Sequence, residues 1–311
     1  MLHQKRMPIV SVIIPTHSRP HLLPRAVESA KRAGAGVEVI VVDDASTDET
    51  EAVCRTLEGI KYIRLEHNQG VAGARNVGIL ASSADYIAFL DDDDLRLPGT
   101  LDKQVAALTS NKDAGFVCGP MLMADQEGNL TGEVSGPRSS GEDAFWELLE
   151  LDFPAMPISV VIRKECFAAV GLFNSKLPGI DDWDLFVRLA ELYPVIVLKE
   201  PLSIYRKPTS FSGQGSSAQA KHLSRILPHQ LNLLRLPRVK MAPLNKQREI
   251  RIRTINRIAD TLLWNAVQAI GDGAYRFACI NTFTALRLRP SRAFYPRRYR
   301  KLALALKARL P

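Results

Sequence analysis

The chain contains 311 residues, of which 46% are hydrophobic, enough to bury the core of one large domain or two smaller ones. Its four cysteines are far apart and have no metal-ligand spacing, so we expect buried thiols in a reducing compartment and no zinc site. No stretch approaches the roughly 18 uninterrupted apolar residues of a membrane span, and the first residues contain only a short apolar run. We therefore expect no signal peptide, no membrane span and a cytoplasmic location.

The formal net charge of +8 is unevenly distributed along the chain. Residues 1–215 contain 21 Lys and Arg against 30 Asp and Glu, whereas residues 216–311 contain 20 against 3. The composition changes at a stretch rich in Gly, Ser and Gln, residues 212–220, which indicates a linker or loop. The sequence therefore predicts an acidic domain at 1–215 and a basic helical region at 216–311.

Short apolar strands alternate with helical patterns in the first part of the chain. Strands are predicted at residues 9–14, 37–44 and 84–94. Helices are predicted at residues 22–32, 48–57 and 70–82. Ser46 or Thr47 is the expected N-cap of the second helix. The alternation predicts an α/β fold whose mostly parallel sheet is covered on both faces by helices.

Polar residues stand at the carboxyl end of each of the three predicted strands. They are Pro15 to His17, Asp43 with Asp44, and the four consecutive aspartates Asp91 to Asp94. An isolated acidic run is often a solvated turn, but ligands of parallel sheets bind at the carboxyl ends of strands, where all three groups fall. Clustered carboxylates repel one another unless a cation or hydrogen-bond donors offset their charge. We therefore expect one acidic rim that binds a ligand.

The chemistry of this rim suits a nucleotide diphosphate. One carboxylate can accept from a base, another can bind a ribose diol, and a third can hold Mg²⁺ or Mn²⁺ against a diphosphate. A Walker lysine loop is absent, and GVAGARNVG does not match a Rossmann fingerprint in register. These absences argue against an ATPase and a dehydrogenase.

Five ordered segments resemble those of the family 2 glycosyltransferases, which have the GT-A fold. The segments are VSVIIPTHSRP, VEVIVVDDASTDET, HNQGVAGARNVGILASSADYIAFLDDDD, SVVIRKECFAAVGLFN and GIDDWDLFVRL. The resemblance covers roughly residues 8–206. It implies inverting transfer of a sugar from a nucleotide-sugar, usually a UDP-sugar, to an acceptor hydroxyl with a divalent metal. It also implies a nucleotide-binding half at 1–115 and an acceptor and catalytic-base half at 116–215.

The resemblance assigns roles to several rim residues. It places Pro15, Thr16 and His17 beside the base, with His17 where the family often has Tyr. Asp44 corresponds to the carboxylate that binds the base and Asp92 to the ribose contact. Arg75 either reaches the base or diphosphate or forms a salt bridge to the acidic rim.

The metal and the catalytic base are also implied by the resemblance. Asp93, with Asp91, corresponds to the metal-binding D-x-D position for Mg²⁺ or Mn²⁺, whereas Asp94 is expected to cap the following segment. Asp182 corresponds to the general base, although an acid at a helix start can also serve as a cap. Many relatives complete the metal site with a His after a Tyr-Arg pair, but Lys207 and Pro208 stand there in this chain.

The basic region predicts two or three helices followed by a cationic segment. Residues 286–310 contain nine Lys and Arg and no acid. This segment suits an anionic membrane surface, with a solubilising helix or nucleic acid as less favoured alternatives. The favoured interpretation is peripheral attachment to the inner face of the plasma membrane, a saccharide or lipid-linked acceptor, and no nucleic acid partner.

Cell-envelope polysaccharide or glycolipid synthesis is the expected process. Two other classes remain as alternatives at this point. One is a nucleotidyltransferase of the GT-A fold, although PTHSRPHLLPRA lacks the glycines of its usual first loop. The other is a nucleotide-sugar-binding protein without catalysis, which would require Asp182 or Asp93 to be missing or misplaced.

Overall fold

The structure is a computed structural model, and the residues described below are 8–137, 143–207, 226–271 and 273–290. The chain divides into two compact units. The first consists of Met1–Leu148 and Phe153–Lys207, and the second of Leu149–Asp152 and Pro208–Pro311. The composition predicted a boundary at residue 215, which lies outside the described residues, as do the predicted linker and the cationic segment from residue 291 onward.

A seven-stranded sheet forms the centre of the first unit. Its strands are β1 (Val10–Thr16), β2 (Val37–Asp43), β3 (Ile60–Arg64), β4 (Tyr86–Phe89), β6 (Phe116–Cys118), β9 (Val161–Arg163) and β10 (Val195–Val197). Their spatial order is β10-β6-β9-β4-β1-β2-β3. All neighbours are parallel except β9, which is antiparallel to β4 and β6. The predicted mixed, mostly parallel sheet is thus confirmed.

A second sheet of four strands belongs to the same unit. Its strands are β5 (Leu95–Arg96), β7 (Met121–Ala124), β8 (Leu130–Ser135) and β11 (Ser203–Arg206). Their order is β5-β11-β7-β8. Strand β5 begins directly after the four aspartates, and its pairing with β11 fixes the position of the backbone that follows them.

Helices flank the central sheet because their apolar sides pack on its buried strands. The helices up to residue 192 are α1 (Leu23–Arg32), α2 (Thr50–Thr56), α3 (Gly70–Ala81), α4 (Thr100–Ser110), α5 (Ala144–Leu149), α6 (Cys166–Val170) and α7 (Asp181–Leu192). All seven residues of β1 are buried, and its Val12 and Ile14 share a core with Leu23 and Val27 of α1. Burying such side chains contributes about 1.5–3 kcal/mol each.

The start of α2 differs from the prediction. Neither Ser46 nor Thr47 is its N-cap, because the helix begins at Thr50 after Glu49. Asp48 accepts the Thr50 amide at 3.0 Å instead. Ser46 serves the rim: its hydroxyl oxygen accepts the Ser18 amide at 2.9 Å. The Asp48 carboxylate therefore accepts the first amide of the helix, whereas Ser46 holds the loop after β1.

The described part of the C-terminal region in the second unit is helical, as predicted. Its described helices are α8 (226–233), α9 (Pro237–Met241), α10 (Leu244–Gly271) and α11 (Tyr275–Leu288). Helices α10 and α11 pack through a core that includes Ile258, Leu262 and Ala285. In the described part of the chain, no helix has both the length and the apolar character needed to cross a membrane.

Candidate active site

The three polar segments that follow β1, β2 and β4 meet at one edge of the central sheet. Thr16 and Asp43, the last residues of β1 and β2, are paired in register. The Asp44 amide donates to the Thr16 carbonyl at 2.9 Å, and the Thr16 hydroxyl donates to Asp92 at 2.7 Å. The carboxyl ends of three neighbouring strands thus bring these side chains together, as the sequence predicted.

The loop after β1 has a fixed conformation at the rim. Pro15 and Thr16 are buried in the sheet, whereas His17 is exposed. The His17 Nδ1 lies 2.8 Å from the Asp44 carbonyl oxygen. Ser18 in this loop and Ala45 in the neighbouring loop after β2 have positive φ, 53° and 60°. Positive φ is unusual for residues other than glycine and is often found at functional sites.

Asp44 holds the N-terminus of α3 against the rim. One of its carboxylate oxygens accepts the Gln69 amide at 2.6 Å, and the other accepts the Gly70 amide at 2.9 Å. Gly70 has φ +75°, which suits glycine at this turn. A carboxylate has about four lone-pair sites, so these two bonds leave acceptor capacity on Asp44.

Each of the four consecutive aspartates contacts an arginine side chain or a backbone amide. Asp91 accepts from Arg75 at 2.7 Å. Asp92 and Asp93 share Arg19, whose two terminal nitrogens lie 2.7 Å from one oxygen of each carboxylate. The last of the four, Asp94, accepts the backbone amide of residue 206 in β11 at 2.7 Å, so it does not cap the following segment as expected. Two guanidinium groups and one amide offset the repulsion.

The positive charge of the arginines compensates only part of the cost of burying these carboxyls. Burial raises the pKa of Asp92 to about 7, because the charge of Arg19 compensates only part of the cost of removing the carboxylate from water. Burial also raises the pKa of Asp93 against the effect of Arg19. For Asp94, burial and then the charge of Asp91 raise the pKa well above its usual range. Arg19 therefore does not fully compensate the burial of these carboxyls, and their charged forms are disfavoured in the absence of another cation.

Arg75 connects this rim to the second acidic group. Its side chain is 4% exposed and contacts Asp91 at 2.7 Å and Asp181 at 3.5 Å. The guanidinium also lies over the rings of Phe89 and Phe173, 6.0 and 5.5 Å from their centroids. The salt bridge to the acidic rim, one of the two roles expected for Arg75, is therefore present.

Asp182 lies in the first turn of α7, as predicted. One of its oxygens accepts the Trp183 amide at 2.7 Å, and the Trp183 indole is itself fixed by donating to the Leu148 carbonyl at 2.6 Å. Burial and then the negative charge of Asp181 raise the pKa of Asp182 to about 7, whereas Arg75 acts in the opposite direction. A carboxylate with this pKa can accept a proton near neutral pH.

Sequence reasoning did not single out Arg19. The available signal was a cation in the loop after β1, close to the predicted acidic rim, but the sequence did not show which acids it contacts. Lys207, considered for the place of the missing His, is half-exposed and lies 3.9 Å from Glu133. Pro208 lies outside the described residues.

The residues at the rim suit a divalent cation, although they are held by arginine here. Asp92 Oδ1 is buried and has no hydrogen-bond partner, because the nearby Arg19 nitrogen does not point an N–H group at it. Among the described residues, no group of three or more His, Cys, Asp and Glu side chains is arranged around a common point as a metal site. Two carboxylates with substrate oxygens and water are a normal ligand set for Mg²⁺.

An open α/β sheet with a carboxylate rim, a second small sheet and a helix that begins with acids agree with the expected GT-A fold. A family model described as Glycosyl transferase family 2 matches residues 11–160. A protein described as an uncharacterized glycosyltransferase of Haemophilus influenzae is 28% identical over 229 residues, which are 71% of this chain and 76% of that protein. Residues 11–160, about half of the chain, thus match glycosyl transferase family 2.

Two further similarities bear on the fold and the family. The GalNAc(5)-diNAcBac-PP-undecaprenol beta-1,3-glucosyltransferase of Campylobacter jejuni is 38% identical over 153 residues, 47% of this chain. The match spans about half of that relative, 48% of its length. A crystal structure of S. aureus TarS 1–349 in complex with UDP-GlcNAc has a TM-score of 0.57 at 17% identity, over 92% of this chain and 91% of that one. This likeness confirms the fold.

Proposed function

We propose that the protein is an inverting glycosyltransferase that moves a sugar from a UDP-sugar to an acceptor hydroxyl, with Asp182 as the general base. One observation carries the proposal. Asp182, whose pKa is raised to about 7, directly follows Asp181, and the buried Arg75 contacts both Asp181 and Asp91 of the acidic rim. This arrangement combines a proton acceptor with a candidate nucleotide site.

The nucleotide would bind along the loop after β1 and the start of α3. Asp44 has acceptor capacity left for a ring N–H of the base, and Pro15, Thr16 and His17 line the same edge. Asp92 is the proposed ribose contact, and its carboxylate is already oriented by the Thr16 hydroxyl. Arg75 is engaged by two acids, so its proposed contribution is to hold the rim rather than to bind the base.

A divalent cation would be held at Asp93, with Asp91 or Asp92 as the second carboxylate. Mg²⁺ or Mn²⁺ there would neutralise negative charge on the diphosphate leaving group. The fit rests on Asp92 Oδ1, which is buried and forms no hydrogen bond, and on the incomplete compensation of the buried Asp92 and Asp93 carboxyls by Arg19. Asp91 is held by the buried Arg75, whereas the Arg19 that faces Asp92 and Asp93 is partly exposed, so Asp92 is the better placed of the two to share a cation with Asp93. The cation would use Asp92 Oδ1, which leaves Oδ2, the oxygen bonded to Thr16, for the ribose.

The chemical step follows from inversion. An acceptor hydroxyl has a pKa far above 7, so Asp182 accepts its proton while the acceptor oxygen forms a bond to C1 of the sugar. The bond from C1 to the diphosphate oxygen breaks on the opposite face, and UDP leaves with the electron pair. The Trp183 amide holds one oxygen of Asp182, which leaves the other for the acceptor.

The relatives suggest which donors and acceptors to test first. The printed names associate UDP-GlcNAc with TarS and glucosyl transfer to a polyprenyl-diphosphate-linked saccharide with the C. jejuni enzyme. We therefore propose UDP-GlcNAc and UDP-glucose as first donors, a saccharide or lipid-linked acceptor, and a role in cell-envelope polysaccharide or glycolipid synthesis.

Attachment to an anionic membrane surface is part of the proposal. The cationic segment from residue 291 lies outside the described residues. The preceding helix α11 has a row of exposed side chains, two of them cationic and two apolar: Arg276, Ile280, Phe283 and Arg287. Cations and apolar groups on one helix face suit anionic lipid. Co-sedimentation with phosphatidylglycerol but not phosphatidylcholine vesicles, weakened by Phe283→Ser, is expected, and equal binding to both would contradict this attachment.

The enzymatic proposal is tested by release of UDP from UDP-GlcNAc and UDP-glucose in the presence of Mn²⁺. Asp182→Asn should reduce turnover by about 10²–10⁴-fold while UDP still binds, because only the proton acceptor is lost. Asp113→Asn, an exposed aspartate elsewhere on the same unit, is the matched control. UDP binding without turnover by the wild type, unaffected by Asp182→Asn, would instead favour a binding protein without catalysis.

A further inference from the structure

Arg19 occupies the position between Asp92 and Asp93. Its two terminal nitrogens lie 2.7 Å from one oxygen of each carboxylate. The side chain of Asp92 is fully buried and that of Asp93 is 20% exposed, whereas that of Arg19 is 31% exposed. A partly exposed cation on the loop between β1 and α1 therefore covers a mostly buried acidic pair.

The contact to Asp92 is electrostatic rather than directional. Asp92 Oδ2 accepts the Thr16 hydroxyl, but Oδ1 has no hydrogen-bond partner even though an Arg19 nitrogen is 2.7 Å away. A buried carboxylate oxygen without a donor costs free energy. A metal ion has no N–H direction to satisfy, so it can coordinate this oxygen where the guanidinium does not bond to it.

A guanidinium and a divalent cation cannot occupy this position together. Their charges repel, and each needs the same carboxylate oxygens. Arg19 would have to leave before a metal ion could bind. Its exposed side gives it room to move, and the diphosphate that accompanies the metal supplies an alternative anion that a planar guanidinium binds well.

We propose that Arg19 is the resident counter-ion of the Asp92–Asp93 pair, that the divalent cation displaces it, and that it then binds the diphosphate of the nucleotide. This inference rests on the proposed function, because it assumes a metal and a nucleotide diphosphate at the rim. Arg19 thereby couples the two ligands: the metal has to break an ion pair when it enters alone, and that loss is recovered only when the diphosphate accepts the released arginine.

The coupling has a measurable consequence. The protein should bind Mn²⁺ weakly in the absence of nucleotide and much more tightly with UDP, and by reciprocity Mn²⁺ should strengthen UDP binding by the same factor. Removing the charge of Arg19 removes the competitor. Arg19→Gln should therefore bind Mn²⁺ alone about tenfold or more tightly than the wild type, and the coupling factor should fall by a similar amount.

The experiment measures free Mn²⁺ by electron paramagnetic resonance during titration of the full chain, with and without saturating UDP. Arg19→Gln is compared with Arg19→Lys, which keeps the charge and should retain weak Mn²⁺ binding. Arg25→Gln removes an exposed positive charge from α1 and is the matched control for net charge. Circular dichroism of each variant checks that the fold is intact.

The outcomes separate this inference from the proposed function. Tighter Mn²⁺ binding by Arg19→Gln alone, with reduced coupling to UDP, supports the displacement. Equal Mn²⁺ affinity in Arg19→Gln and the wild type, with metal-dependent UDP binding intact in both, overturns the displacement and leaves the proposed function standing. A wild type that binds neither Mn²⁺ nor UDP contradicts both. Tighter Mn²⁺ binding by Arg25→Gln as well would show a general charge effect and also overturn the role of Arg19.

Discussion

The pH dependence of sugar transfer gives the sharpest prediction about Asp182. Its pKa of about 7 means that only about one tenth of the carboxyl is ionised at pH 6. A general base has to be ionised, so kcat/KM should fall about tenfold for each pH unit below 7 and level off above it. Initial rates of UDP release at low donor concentration, measured across this range, give the profile.

Two variants identify the group that titrates. Asp181→Asn removes the neighbouring negative charge that helps to raise the pKa of Asp182, so the acidic limb of the profile should move below pH 7. Asp182→Asn should lower the plateau by about 10²–10⁴-fold and abolish the limb. Asp113→Asn should leave the profile unchanged. A limb that persists in Asp182→Asn, or one that Asp181→Asn moves to higher pH, would refute the assignment of the base.

Three further predictions concern the residues that support the rim. The raised pKa of Asp92 favours its protonated form in the folded state, so the wild type should lose stability as the pH rises from about 4 to about 7. Asp92→Asn should flatten this pH dependence in urea titrations in metal-free buffer. Asp44→Ala should destabilise the protein by about 1–2 kcal/mol, because two amides at the start of α3 lose their acceptor; unchanged urea midpoints would contradict this. Gly78→Ala should cost about 1–3 kcal/mol, since its Cβ would lie 2.3 Å from the Ile13 side chain, and a stabilised variant in thermal melts would contradict the packing.

Local patterns in the sequence accounted for much of the sheet and the rim. Continuous apolar runs located β1, β2 and β4, and the polar residues after them fell at one edge because parallel strands align their carboxyl ends. The acids at the start of α7 were visible because apolar positions at helical spacing follow them. These features depend on residues close to one another in the chain.

Other features depend on contacts between distant segments and were not predictable from local patterns. The direction of β9 is one case, since a short apolar strand has no signal that distinguishes parallel from antiparallel pairing. The bond between Asp94 and the amide of Arg206 joins residues 112 positions apart, so the carboxylate looked like a local cap. Arg19 is 74 positions from Asp93 in the sequence, and only the folded structure shows that it contacts this acid and Asp92.

The most direct test of the central claim is calorimetric titration of UDP into the purified protein, with and without Mn²⁺, repeated with Asp93→Ala. The account predicts that UDP binds, that Mn²⁺ strengthens the binding, and that Asp93→Ala removes the metal effect. GDP and TDP serve as controls for the base. If UDP did not bind under either condition, or if its affinity depended on neither Mn²⁺ nor Asp93, the acidic rim would not be a nucleotide-sugar site.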